Sequence, residues 1–212
     1  MTTIKNYLSL VKFSHTIFAL PFALIGFFVG IIFLDQIPWV KAAVEMRDEP
    51  KEKIFLFFQS HWYLFVLVLL CMITARSAAM AFNRYLDRHF DAQNPRTAIR
   101  EIPAGIIGPN SALRFVILNA FIFITATYFI NTICFFLSPV ALFVILFYSY
   151  TKRFTALCHL VLGLGLRLAP IGAYLAVTGE FAVLPILFSF TVLFWVSGFD
   201  IIFALQDEAF DR

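Results

Sequence analysis

The stretch FVILNAFIFITATYFINTICFFLSPVALFVILFYSY, from Phe115 to Tyr150, holds 36 consecutive residues without a charge. As one helix it would reach about 54 Å at 1.5 Å per residue, nearly twice the roughly 30 Å hydrocarbon layer of a bilayer. The polar pair Asn131-Thr132 divides the run in half, which predicts a tight hairpin of two membrane spans. Four more apolar segments flank it: Ile17 to Leu34, Trp62 to Phe82 interrupted by Arg76, Phe154 to Gly179 carrying Arg167 and Pro170, and Phe181 to Phe199. The expectation is an all-α, polytopic transmembrane bundle of six spans.

Composition agrees. The 212 residues are 61% hydrophobic and 14% charged, where soluble domains carry about 25% charged residues, so lipid is the solvent this sequence fits. Ile17 to Leu34 follows Lys5 and Lys12 as the core of a signal peptide would, but its apolar run is too long and no small-residue cleavage site follows it. It is expected to stay as a span. Cys71, Cys134 and Cys158 have neither metal-ligand nor disulfide spacing, and the four histidines stand apart from one another and from any Cys or Glu at ligand spacing. The cysteines read as small apolar residues in lipid, and the histidines are expected to be packing or interfacial side chains. With no internal repeat and no low-complexity linker, residues 1–212 read as a single membrane-embedded domain, with the lipid bilayer as a partner and no nucleic acid.

The basic residues orient the bundle. Lys5, Lys12, Arg84, Arg88, Arg96, Arg100, Arg114, Lys152, Arg153 and Arg212 fall in segments on one side, whereas Lys41, Arg47, Lys51 and Lys53 share one loop on the other. The positive-inside bias puts the first group, with the N-terminus, at the cytoplasmic face of an inner membrane. The 35–60 loop also holds Asp35, Glu45, Asp48, Glu49 and Glu52, and is expected to be a solvated connector without chemistry.

Two acidic clusters then fall on that same side. Asn83, Asp87 and Asp91 follow one another at intervals of four, and with Arg76 and Met80 they occupy an arc of about 80° on one helix face. Asp200, Asp207 and Asp211 share an arc of about 40° at the far end of the last span. Either cluster alone reads as a solvated helix end. Two, facing each other across a cleft, repel unless cations lie between them, and hard oxygen ligands suit Mg2+, whose coordination is usually completed by water and phosphate oxygens. The implied substrate is a phosphate or diphosphate. Arg96, Arg100, Lys152 and Arg153 supply complementary charge, although positive-inside topology alone can account for each. Arg84 and Arg88 turn away from the Asp face and are left outside the site.

These stretches resemble the UbiA superfamily of membrane prenyltransferases, most of all its 4-hydroxybenzoate polyprenyltransferase branch. The matching segments are RSAAMAFNRYLDRHFD (Arg76 to Asp91), PRTAIREIPAG (Pro95 to Gly105), YSYTKRFT (Tyr148 to Thr155) and DIIFALQDEAFD (Asp200 to Asp211). The order is right and nearly the whole chain is covered. The resemblance implies a helical bundle around a central cavity, with Asn83, Asp87, Asp91, Asp207 and Asp211 holding Mg2+ and the diphosphate of a polyprenyl diphosphate. It implies that Arg96, Arg100, Lys152, Arg153 and Tyr148 contact that diphosphate. Arg76 would bind the carboxylate of a small aromatic acid acceptor, and Asp200 would orient Arg76 or accept the phenol proton. The chain departs at Arg84, where some members carry a further Asp, and in length: the family usually has about nine spans, so a missing C-terminal part is expected.

The implied activity is Mg2+-dependent transfer of a polyprenyl group to a 4-hydroxybenzoate-type acid in quinone biosynthesis. Prenylation of a naphthoate on a menaquinone route, or of another acceptor, is the alternative. A transporter is a rival, since intramembrane Arg76 and Arg167 can line an ion path, and an inactive fragment is another. The transporter reading calls for inverted repeats with matching broken helices, and the two halves show no such pair. Arg167, mid-span and outside every motif, is expected to face the cavity or pair with an acid.

Overall fold

In a computed structural model, residues 3–12, 16–34, 49–151, 153–155 and 157–206 are described. They form eight helices: α1 (Thr3–Leu10), α2 (Thr16–Ile32), α3 (Pro50–Gln93), α4 (Pro109–Ile130), α5 (Thr132–Thr151), α6 (Cys158–Leu166), α7 (Leu168–Thr178) and α8 (Val183–Gln206). Helix is the expected answer to lipid, because it satisfies each backbone N–H and C=O within its own segment. Five stretches are long and apolar enough to cross a membrane: α3, α4, α5, the pair α6–α7 counted together, and α8. Where the sixth span is expected lies α2, an apolar helix shorter than those five.

The expected hairpin is α4–α5, and Asn131 makes it. Its backbone is extended (φ −165°, ψ 167°), its own N–H closes α4 on Thr127, and its side-chain Oδ1 accepts the Cys134 N–H at 2.8 Å. One residue therefore caps two helices. Its Nδ2 then donates to the Leu175 carbonyl at 2.7 Å, fastening the hairpin to α7. Within α5, Pro139 cannot donate to the Phe135 carbonyl, and the Ser138 hydroxyl takes that place at 2.8 Å.

Two spans differ from the expectation. The second begins at Pro50 rather than Trp62, with a kink at His61 (φ −127°, ψ 22°). The part of the 35–60 loop from Pro50 to Ser60 is thus helical, and it buries Phe57 and Lys53. The sequence reads as a connector because of its charges, yet Lys53 donates its ammonium to the Ile32 carbonyl at 3.3 Å, sealing the end of α2. Residues 35–48 lie outside the described residues. The fifth span is broken into α6 and α7, because Pro170 cannot donate to the carbonyl four residues back and the helix parts at Arg167.

Small residues set the helix spacing, as lipid-embedded packing requires. A Cβ on Gly26 would lie 2.1 Å from the Pro170 carbonyl oxygen, so α2 and α7 touch backbone to backbone. Ala78, Ala81 and Ala112 bring α3 against α4, and Leu10, Ile102 and Ile107 from α1 and the 94–108 loop close the same cluster. Phe27 anchors the opposite half, edge-on to Phe57 and Phe65.

Candidate active site at the charged end of the bundle

From His61 to Gln93, α3 runs about 48 Å at 1.5 Å per residue, so it carries its acidic motif beyond the apolar core. Arg76, Met80 and Asn83 line one cavity of about 590 Å3, whose walls come from α3 to α7. Most of that wall is apolar, with Val68, Leu137 and Leu175 among its residues. Asn83 Nδ2 stands 3.5 Å from Ser149 Oγ across α3 and α5, and Tyr148 lines the same cavity.

Asp87 and Asp91 continue this face past the cavity, and both are buried. Arg153 Nη2 lies 3.5 Å from Asp87 Oδ1 and also donates to the Leu86 carbonyl at 2.9 Å. Arg100 Nη1 donates to both oxygens of Asp91, at 2.8 and 2.9 Å. Thr97 Oγ1 donates to the Asp91 carbonyl at 2.9 Å, and the Asn94 side chain accepts the Arg96 N–H at 3.0 Å. The 94–108 loop is thereby folded down over the acids, and two expected diphosphate ligands, Arg96 and Arg100, come with it. The surplus is positive: the Lys12 ammonium has its pKa held below the usual lysine value by desolvation and then by neighbouring Arg84 and Arg100. A field of that sign favours an anionic ligand.

Asp200, on α8, stands with its Oδ2 2.8 Å from Nδ1 of His159, on α6. His159 thus makes a polar contact beyond the packing or interfacial place expected for it, and no Arg76–Asp200 ion pair is found among the described residues. Arg76 Nε is instead buried without a hydrogen-bond partner in the cavity wall. The helix α6 that carries His159 lines the same cavity as Tyr148, through Val161, Leu162 and Gly165. Lys152, Asp207 and Asp211 lie outside the described residues. Among those described, no group of three His, Cys, Asp or Glu side chains comes together as a ready metal site.

Arg88 does turn away, folding over the Tyr85 ring at 4.5 Å. Arg84, set outside the site on the same helical arithmetic, is buried and paired with Glu101, whose other oxygen is bound by the Ser9 hydroxyl. The arithmetic holds for the acidic face, but Arg84 turns toward α1 and the loop rather than toward solvent. The available signal is the lone acid Glu101 next to Arg100 in a loop otherwise charged only by bases. Arg167 neither lines the cavity nor meets an acid among the described residues; its guanidinium lies 5.1 Å from the Phe190 ring and its carbonyl accepts from Ser189 at 2.8 Å.

Fold and site together define an all-helical integral membrane protein with a carboxylate and guanidinium cluster beside an apolar cavity. Residues 57–212 match the UbiA prenyltransferase family, and the chain belongs to that family. It is 32% identical over 173 residues to a 4-hydroxybenzoate octaprenyltransferase of Tolumonas auensis, covering 76% of this chain and 60% of that protein. A protein of the same name from Actinobacillus pleuropneumoniae is 31% identical over 184 residues, covering 80% and 62%. The chain thus spans about three fifths of the length of these curated relatives. A UbiA homolog from Aeropyrum pernix K1 superposes with a TM-score of 0.73 at 30% identity, over 94% of this chain and 66% of that one. A UbiA homolog from Archaeoglobus fulgidus, bound to DMAPP and Mg2+, shares the fold with a TM-score of 0.72 at 21% identity, over 97% and 65%.

Proposed function

We propose that this chain transfers a polyprenyl group from a polyprenyl diphosphate to an aromatic acid of the 4-hydroxybenzoate kind, in quinone biosynthesis, with Mg2+ as cofactor. The observation that carries this reading is the vertical order on α3: an unpartnered buried guanidinium nitrogen at Arg76 in the cavity wall, then Asn83, then two buried carboxylates held by arginines. Family membership and the relatives' names support the same chemistry.

The donors fit the metal. Asn83, Asp87 and Asp91 offer hard oxygens only, as Mg2+ prefers, with Asp207 and Asp211 expected to complete the set. When bound, Mg2+ supplies positive charge to the diphosphate oxygens as the allylic C–O bond breaks. Arg100 and Arg153, now on Asp91 and Asp87, can exchange a carboxylate for a phosphate oxygen, which a guanidinium binds in the same forked manner. Arg96 and Lys152 add charge, and the Tyr148 hydroxyl donates from the cavity side.

Arg76 lies seven residues before Asn83, hence about 10 Å deeper, which leaves room for one aromatic ring between it and the allylic carbon. Its guanidinium takes the acceptor's carboxylate. The apolar wall takes the first isoprene units and keeps water from the allylic cation. The C–O bond breaks with its electron pair leaving on the diphosphate, and the ring carbon ortho to the phenol oxygen bonds the allylic carbon. Asp200 accepts the phenol proton and returns it when the ortho C–H proton leaves to the diphosphate.

Membranes carrying the protein, given a radiolabelled prenyl diphosphate, 4-hydroxybenzoate and Mg2+, should move label onto the acid, and EDTA should stop it. Arg76→Ala should raise KM for the carboxylated acceptor and leave that for the prenyl diphosphate nearly unchanged. No transfer to any aromatic acid would sink the reading; equal loss for acceptors with and without a carboxylate would remove Arg76 from it. The site is proposed to face the cytoplasm: a cysteine placed at exposed Ala92 should react with an impermeant thiol reagent only once the membrane is opened, and labelling in intact cells would reverse the orientation.

A further inference from the structure

One acid of the proposed site is tied to a side chain that the reaction above does not use. His159 stands in the first turn of α6, and Asp200 near the end of the apolar part of α8. Their contact, Nδ1 to Oδ2 at 2.8 Å, is locked in register by the helices beneath it. Gly163, one turn beyond His159, lies so close to α8 that an added Cβ would sit 2.3 Å from Ser197 Oγ and 2.5 Å from the Leu193 carbonyl oxygen. Residues 159 and 163 share a face of α6, as 193, 197 and 200 share one of α8. The pair therefore extends a backbone-close contact whose sliding is blocked.

The pair is not placed as a buried strut. Its side chains are 25% and 29% exposed, a setting in which an ion pair adds little stability. What it fixes is direction. An imidazole donating Nδ1–H to Oδ2 sets its own tautomer and the plane of the carboxylate, leaving Oδ1 for a ligand. The helix that carries His159 also walls the cavity, through Val161, Leu162 and Gly165, opposite Arg76, Asn83 and Tyr148, so the pair stands on an element that borders the space where the acceptor ring would lie.

We infer that His159 is the positioning residue for Asp200, holding the carboxylate so that Oδ1 meets the acceptor's phenolic O–H. This rests on the proposed function. The phenol proton passes to Oδ1 as the ortho carbon bonds the allylic carbon, and returns to the ring oxygen when the ortho C–H proton leaves to the diphosphate. His159 keeps its own proton throughout.

Steady-state kinetics of the parent, His159→Leu, His159→Asn, His159→Gln, Asp200→Asn and the double variant His159→Leu/Asp200→Asn test this. His159→Leu should lower kcat about 10- to 100-fold, the scale of a misdirected catalytic group, with KM for the prenyl diphosphate within about twofold. His159→Asn, whose amide nitrogen sits where Nδ1 sits, should recover most of the rate, whereas His159→Gln, which reaches the Nε2 position, should stay slow. The double variant should be no slower than Asp200→Asn alone. The inference falls if His159→Leu runs at the parent rate, if Asn and Gln behave alike, or if the two losses multiply. A parent that prenylates no aromatic acid overturns the proposed function and this inference with it; an active parent with a flat His159 series overturns this inference alone.

Discussion

The two ends of the bundle differ in the part that pairs of polar side chains play among the described residues. At the end where α2, α4 and α7 finish, side chains bind backbone: Asn131 holds the Leu175 carbonyl and the Cys134 N–H, Thr178 the Tyr174 carbonyl at 3.0 Å, and Lys53 the Ile32 carbonyl. At the end where α3, α5 and α8 finish, some side chains also bind backbone, as Arg153 does at the Leu86 carbonyl, but charged side chains bind each other as well: Arg100 with Asp91, Arg153 with Asp87, Arg84 with Glu101, His159 with Asp200. A helix-end carbonyl is an acceptor that something must satisfy permanently. A carboxylate held by a guanidinium can trade it for a metal, and the guanidinium can trade the carboxylate for a phosphate. The first end is sealed; the second is loaded for exchange.

Arg84–Glu101 sharpens the contrast, because it stands at the charged end yet is the most deeply buried of the four pairs, at 7% and 12% side-chain exposure. Glu101→Ala leaves a buried guanidinium uncompensated and should cost about 3–5 kcal/mol, read as a fall in the thermal midpoint of the purified protein. A midpoint unchanged from the parent would place this pair with the exchangeable ones. Asp87→Asn should do the reverse: prenyl transfer lower by at least about 10²-fold, with the midpoint nearly kept. At the sealed end, Asn131→Ala removes a cap and a cross-helix bond and should cost about 1–2 kcal/mol while activity per folded molecule holds. Arg167→Ala loses a stacked cation worth about 0.5–1 kcal/mol; a loss of activity larger than the loss of folded protein would bring Arg167 into the site.

The sealed end is the more legible in the sequence. A 36-residue apolar run has to fold back within the membrane thickness, and Asn131 is where it can. The acidic face of α3 is legible too, because helical arithmetic needs only spacing. What spacing cannot supply is a partner on another element. Asp200 and His159 are 41 residues apart, and the hint lies only in a histidine one turn before a glycine in an apolar helix. Glu101 sits in a loop without periodicity, so spacing on α3 leaves Arg84 outside the site and names no partner for it. Charge also misleads: Lys51, Glu52 and Lys53 read as a connector, although Lys53, Phe57, Leu64 and Val68 mark a buried stripe along α3.

Exchange at the charged end is tested most directly by equilibrium binding of a radiolabelled prenyl diphosphate to the purified protein, with and without Mg2+, for the parent and Asp87→Asn. The expected result is saturable binding to the parent that EDTA abolishes and that Asp87→Asn loses. Binding to the parent that is indifferent to EDTA, or Asp87→Asn binding as tightly as the parent, would contradict it.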